Sequence, residues 1–468
     1  TDEAVQRFLT SFDLVAPLEP RDAFFGGRTG AVALHAVAEE GEEIRYVDVT
    51  SLYPWVNKNC PYPIGHPKII TQPVDQSLAS YFGVATVDIL PPAGLFHPVL
   101  PVRCGQKLTF PLCRACVQTE QAQPMLTRTQ YCPHSDADRT LRGTWCTPEL
   151  VKAVEKGYTL IKIHEVWHFP PEQRQTGLFA NYVNTWLKLK QESAGWPSWC
   201  QTLEQKREYI LRYQEREGIR LDIASIAKNP GRKATAKLML NSFWGKFGER
   251  INKPTTITVQ NPTHLFSLVS DAALDLSTLR LCTDDILEAV YTSVQDNAIK
   301  GTKTNIFQQV LYYDTDSVVY KWRPGQPSIT TGDFLGDMTD ELDGDVITEF
   351  VSGGAKNYGY TTRGGKVVCK VRGFTLNVRG SAILNFHTMK ENILSELDSP
   401  QDSRRNLNIV TPYHFTRDLE KKQIQVVPRV KQYRLVFDKR LIDVTTRSSY
   451  PYGYERIGDE LDLLLELY

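Results

Sequence analysis

Short apolar runs alternating with polar positions, punctuated by Pro and Gly, dominate residues 31–110: AVALHAVAEEGEEIRYVDVTSLYP, then FGVATVDILPP and FHPVLPVR. That period of two predicts β-strands. Residues 1–20 read as a short amphipathic lead-in, and FFGGRTGAV (24–32) as a glycine turn entering a strand. Neither period persists over 111–147, so that stretch is predicted as loop. TPELVKAVEKGY (147–158) begins with a Thr cap and Pro at the first helical position. A strand, TLIKIHEVWHF, follows, then the helical GLFANYVNTWLKLKQE and LEQKREYILRYQERE, and a further helix after Asn229-Pro230-Gly231. Residues 251–300 are mixed, 310–321 read as a strand, 366–380 as strand-rich, and the rest mixes helix and strand. Interleaving without a strict βαβ rhythm predicts an α+β fold.

The length of 468 residues sets a prior of about three domains, and 41% hydrophobic with 23% charged residues is ordinary globular composition. Lys+Arg and Asp+Glu both number 54, so any basic surface has to be local. No apolar run reaches the ~18–20 residues of a membrane span, and the N-terminus lacks signal-peptide order, which predicts a soluble protein with no membrane partner. The absent initial Met is expected from processing or from a fragment of a longer chain. Nine cysteines at irregular spacing favour a reducing compartment over a disulfide framework.

In LYYDTDSVVY (311–320) two carboxylates stand two positions apart between apolar flanks. Read as a continuous strand, Asp314 and Asp316 share one face while Thr315 and Ser317 share the other. Read as a hairpin, the four turn-forming residues lie at the tip of a buried base. Either way, two adjacent anions need compensation, and a hard divalent cation such as Mg²⁺ supplies it. Asp48, in IRYVDVTSLYP, is a second carboxylate at the end of an apolar strand. One acid from each of two distant strands is how a two-metal site is assembled, with ions ~3.5–4 Å apart. Asp136/Asp138 and Asp343/Asp345 lack apolar flanks and read as surface acids.

Along NPGRKATAKLMLNSFWGKFGER, Lys233, Lys237, Asn241, Trp244, Gly245 and Gly248 recur at helical spacing. Lys233 and Lys237 repel at i,i+4. The stripe is either a solvated basic face or a site for an anion, and a triphosphate with its base matches its mixture of charge, hydrogen bonding, stacking and close approach.

Together DVTSLYP (48–54), KLMLNSFWGKFG (237–248) and YYDTDS (312–317) resemble, in order and spacing, three motifs of the family B DNA polymerases. FFGG (24–27), the long segment between the first two motifs and AKNYGY (355–360) are most similar to the protein-primed branch. YPIGHP, GTWCTPEL and SSYPYGY look like polymerases of Polinton/Maverick-type DNA transposons. The resemblance implies a right-hand architecture: lead-in and first part of a palm over 1–110, an insertion similar to terminal-protein region 1 over 111–175, and helical fingers over 176–250. A second insertion over 251–300, the second part of the palm over 301–380 and a small thumb with tail over 381–468 complete it.

By the same resemblance Asp48, Asp316 and the Val49 carbonyl would hold two Mg²⁺ ions, or Mn²⁺ in their place, with Asp314 assisting. Tyr53 would lie under the sugar. Lys233 and Lys237 would grip the triphosphate, while Asn241 and Trp244 shape the base-pair pocket. Gly26, Gly27, Lys356 and Tyr358 would contact DNA, the last two from one strand face. Implied partners are a DNA template-primer, dNTPs and a priming terminal protein, in an intracellular setting, nuclear or at a viral or mobile-element replication site.

Two features depart from that pattern. The residues ahead of Asp48 are too few for a proofreading exonuclease and lack its Asp-x-Glu signature. A long palm helix expected between the equivalents of Ile306 and Leu311 is missing, which leaves a second reading: an inactive mobile-element relic that still binds DNA or a partner. A metal-dependent nuclease would not need the Lys237/Asn241/Trp244 face. Separately, Cys113-x2-Cys116 followed by Cys132-x-His134 form a candidate zinc set, against free thiols in a reducing compartment.

Overall fold

The structure, a computed structural model, describes residues 17–455 except 72–76, 106, 123–131, 248–254, 271–273, 284–285, 294–309, 375, 399–406, 419–420 and 422. The lead-in before residue 17 and the segment that would hold the missing palm helix therefore lie outside the described residues.

The main sheet is antiparallel and nine-stranded among the described residues. Its strands are β1 (Thr29–Ala31), β2 (His35–Val37), β3 (Glu43–Val49), β4 (Val310–Asp314), β5 (Ser317–Trp322), β6 (Met338–Asp340), β7 (Ile347–Ser352), β8 (Asn357–Thr362) and β9 (Val367–Val371). They lie in the order β1-β4-β5-β3-β7-β8-β9, with β6 beside β3 and β2 beside β7. Alternation explains β3: Ile44 and Tyr46 are buried, while Glu43 and Arg45 are only partly covered. Ile44, Val319, Phe350, Met389 and Ile393 are all but sealed in one core, so the helix Phe386–Asp398 packs directly on this sheet. Each such side chain contributes about 1.5–3 kcal/mol by burial. A four-stranded antiparallel sheet, ordered Lys68–Ile70, Thr159–His168, Gly83–Leu90 and Leu141–Cys146, forms a second layer with its own core. The α+β expectation holds.

Three local expectations do not. The stretch 310–321 is not one strand: Asp314 pairs with Ser317, so Thr315 and Asp316 form the turn of the β4–β5 hairpin. The turn formers prevail because the apolar flanks can pair with each other. Residues 111–147 are not simply loop, since they include the helix Arg114–Ala122 and the strand Leu141–Cys146. Thr147 does not cap its helix; it is the first helical residue and accepts a hydrogen bond from the Gly83 amide, 3.0 Å away, which ties the helix to the neighbouring strand.

Helix α1 (Leu52–Asn59) follows β3 immediately, and α2 (Ala180–Glu192), α3 (Leu203–Glu217) and α4 (Pro230–Phe247) form a helical unit around Val183, Leu187, Tyr213 and Leu240. A capping box between Thr202 and Gln205 starts α3, and Gly218 at φ 69 ends it. The unit is fastened to α1 by a buried ion pair, Lys58 to Glu217 at 3.0 Å. The other Glu217 oxygen accepts from the Leu335 amide. Lys58→Met leaves that carboxylate buried and unpaired, so we expect a loss of about 3–5 kcal/mol in urea unfolding. No helix among the described residues is long and apolar enough to cross a membrane.

Candidate active site

Register brings the distant acids together. β5 pairs with β3 so that Ser317 faces Asp48, and β4 pairs with β1 so that Asp314 faces Thr29. The Val49 amide donates to the Asp316 carbonyl at 3.0 Å, and the Thr315 amide to the Arg28 carbonyl at 2.7 Å, clamping the turn from both sides. Thr315 holds φ 60, a left-handed conformation that costs a β-branched residue about 1–3 kcal/mol. A Cβ on Gly27 would lie 2.3 Å from Thr315 Oγ1. Gly27 thus permits the close approach of the lead-in chain to the turn, whereas a Cβ on Gly26 would meet nothing within 4 Å. In a nucleotide-addition assay we expect Gly27→Ala to cost roughly 10–100-fold through displacement of the turn, and Thr315→Gly in the same chain to recover most of it.

The acids line a cleft of about 510 Å³ together with Tyr46, Tyr53, Ser317, Lys356, Lys370 and Arg372. Burial, then the charges of Asp316, Glu341 and Asp314, pushes the Asp48 carboxyl up to about 6. Asp316 is raised by the same causes, burial first and then Asp314. Asp48 Oδ1 is buried with no hydrogen-bond partner among the described residues. An oxygen in that state, beside a second raised carboxylate, is the donor a hard divalent cation takes up. The residues present therefore fit such an ion. Asp314 differs, because Lys356 Nζ lies 2.8 Å from it in an ion pair.

Lys356 does not share a strand face with Tyr358. It stands ahead of β8 at φ 58, and its amide donates to the Tyr312 hydroxyl at 2.8 Å. The positive φ breaks the alternation that the spacing implied. Tyr358 is buried, stacked at 12° on Tyr360, with its hydroxyl 3.2 Å from that of Tyr46. Its hydroxyl end still borders the cleft. Lys370 and Arg372 were missed in the sequence; at and just past the end of β9, they line the cleft together with Val371. Glu341 was missed as well, since it lies just past the short β6 and only the fold brings it near Asp48.

On the opposite side, Tyr53 in α1 borders the cleft and its hydroxyl is held protonated by burial and by Asp316 and Asp314. Lys233, Lys237 and Asn241 are exposed on α4 while Ala236 and Leu240 between them are buried, so the expected stripe exists up to Asn241. The Trp244 side chain and Gly248 lie outside the described residues. A third lysine joins the stripe: Lys190 of α2 is mostly buried, and burial, Lys237 and Lys233 together depress its pKa. Lys190 Nζ donates to Ser51 Oγ at 3.3 Å, three positions from Asp48. Lys190 thus ties α2 to the chain just past Asp48, and Lys233 and Lys237 of α4 lie close enough to Lys190 to act on its charge.

Residues 19–196 match the family DNA polymerase type B, organellar and viral. The match includes Asp48, Tyr53, Lys190 and the Cys/His cluster; the β4–β5 hairpin lies beyond it. Among solved structures the chain is similar to phi29 DNA polymerase in an orthorhombic crystal form, 14% identical with a TM-score of 0.48, over 92% of this chain and 67% of that one. It is similar also to phi29 DNA polymerase complexed with primer-template DNA and incoming nucleotide substrates, 14% identical with a TM-score of 0.47, over 93% of this chain and 66% of that one. The chain spans about two thirds of the length of these polymerases. No curated protein sequence matches it.

Proposed function

We propose that the chain carries out DNA-templated DNA synthesis, adding dNTPs to a primer 3′-hydroxyl, or to a hydroxyl of a priming terminal protein, as a family B polymerase of the protein-primed, transposon-encoded type. The observation that carries the reading is the buried Oδ1 of Asp48, unpartnered among the described residues, beside Asp316 in a cleft also lined by Lys356 and Lys370.

Asp48, Asp316 and the Val49 carbonyl would hold two Mg²⁺ or Mn²⁺ ions. Bound there, the ions would lower the pKa of the attacking hydroxyl and neutralise charge on the phosphates. The chain's own residues then have separable tasks. Lys190, Lys233 and Lys237 attract the triphosphate and hold it as pyrophosphate departs. Tyr53 presents a protonated phenol where the sugar would lie. Asn241 and Trp244 bound the new base pair. Lys356, paired with Asp314, offsets part of that acid's charge beside the ion site, while Lys370 and Arg372 offer phosphate contacts that position the primer without reading its sequence.

Single-nucleotide incorporation on a primer-template, with each template base in turn, tests the reading. Addition of the complementary dNTP alone supports it. Salt-sensitive DNA binding without addition is the outcome of the inactive-relic reading, and strand cleavage without addition that of a nuclease.

A further inference from the structure

Away from the cleft, four side chains that the proposed polymerase chemistry does not use converge on one point. Cys113 and Cys132 are buried, Cys116 and His134 partly so, and one ligand atom from each lies within 4.8 Å of all the others. His134 Nδ1 is 3.5 Å from Cys113 Sγ, 3.3 Å from Cys116 Sγ and 3.5 Å from Cys132 Sγ, and the Cys116 and Cys132 sulfurs are 3.5 Å apart. A tetrahedral zinc with Zn–S of about 2.3 Å and Zn–N of about 2.0–2.1 Å sets S···N near ~3.6 Å and S···S near ~3.8 Å. These four separations stand within a few tenths of an ångström of those edges, and the two from the Cys113 sulfur to the other sulfurs are no longer than 4.8 Å. A disulfide needs sulfurs about 2.0 Å apart, so the cluster is not one.

Cys132 and His134 lie in irregular chain just ahead of the short helix Asp136–Arg139, and both side chains reach the cluster despite the tight spacing. Cys113 and Cys116 straddle the start of the helix Arg114–Ala122, and the Cys116 amide donates to the Cys113 sulfur at 3.4 Å. That is the kind of supporting hydrogen bond that steadies a metal ligand. The site has a definite neighbour. The Leu112 amide donates to the Tyr452 carbonyl at 2.7 Å, and a Cβ on Gly453, which holds φ +81, would lie 2.3 Å from Cys113 Cβ. Tyr452 is itself buried, and the Ser449 amide donates to the Val32 carbonyl at 2.7 Å, next to β1.

We propose that Cys113, Cys116, Cys132 and His134 bind one structural zinc ion, and that this ion fastens the chain around Leu112 and Cys113 to the C-terminal segment around Tyr452 and Gly453. The three thiols lose their protons on binding and His134 coordinates through Nδ1 as neutral imidazole. All four positions are filled by protein, so the site is closed and carries no reaction. The inference does not depend on the polymerase reading, because it concerns other residues and is tested without nucleotides.

The test is elemental analysis of the full chain, purified under reducing conditions without chelator, followed by cobalt exchange. We expect about one zinc per chain, and for the cobalt form the thiolate charge-transfer and tetrahedral d–d bands of a sulfur-rich site. Cys116→Ser with Cys132→Ser should lose the zinc, and amide exchange over residues 448–455 should quicken in that variant and in wild type stripped with a mercurial. Zinc absent from wild type even after reconstitution, cobalt without the thiolate band, zinc unchanged in the double variant, or exchange over 448–455 indifferent to zinc removal would each overturn the proposal. The cobalt spectrum and the stripped protein are read on wild type, so a variant that fails to fold does not shelter it.

Discussion

Asp48→Asn will abolish nucleotide addition and, without added divalent ions, raise the thermal midpoint. The loss should reach on the order of 10³-fold or more in single-turnover incorporation, since it would remove a proposed ion ligand at the point where charge develops. The gain follows from the same geometry. The Asp48 carboxyl is raised to about 6 from 3.8 by burial and by Asp316, Glu341 and Asp314, so the folded chain pays for holding it ionised. Its folded form binds a proton more tightly than its unfolded form; the ion-free protein therefore gains stability from this group as pH falls from about 6 toward 4, and carries the full repulsion above 6. Scanning calorimetry should show the Asn variant more stable than wild type well above pH 6, with the difference closing below about 4. An unchanged midpoint across that range would mean that the acids do not repel as described.

Lys190→Met should raise KM for dNTP by roughly 10–100-fold, the range expected when a charged hydrogen bond to phosphate is lost. Lys237→Ala should do the same, and the double variant should fall short of the product of the two, because both groups would grip one triphosphate. Folding should survive in Lys190→Met, since burial and the neighbouring Lys237 and Lys233 already disfavour the ammonium. A KM that stays put while the fold is intact would remove the lysine stripe from the site.

The sequence made the acids legible because their flanks are apolar and their spacing is short. Asp48 ends an alternating strand, and the apolar LYY and VVY flanks single out Asp314 and Asp316, but whether the two flanks continue as one strand or pair with each other as a hairpin is decided only by the β4–β5 register. The Lys233–Asn241 stripe was legible through the helical period. Lys190 was not: on an amphipathic helix it reads as solvated, and its burial depends on α1 and α4, which pack on it from other parts of the chain. Glu341 likewise comes near Asp48 only through the pairing of β6 with β3, and Lys370 and Arg372 reach the cleft only through the pairing of β9 with β8. Lys356 failed for a local reason, a left-handed φ at a non-glycine position that no periodicity announces. Gly27 was visible as a turn glycine, yet its contact with Thr315 spans most of the chain.

In the reading proposed above, Asp48 and Asp316 converge to hold a pair of divalent ions. Titration of the protein, bound to a primer-template with a non-extendable primer and the complementary dNTP, with Mn²⁺ followed by electron paramagnetic resonance measures this directly. We predict about two bound ions per complex in wild type with the spin coupling of ions ~3.5–4 Å apart, and loss of that coupling in Asp316→Ala. Uncoupled ions in wild type, or a coupled pair that persists in Asp316→Ala, would contradict it.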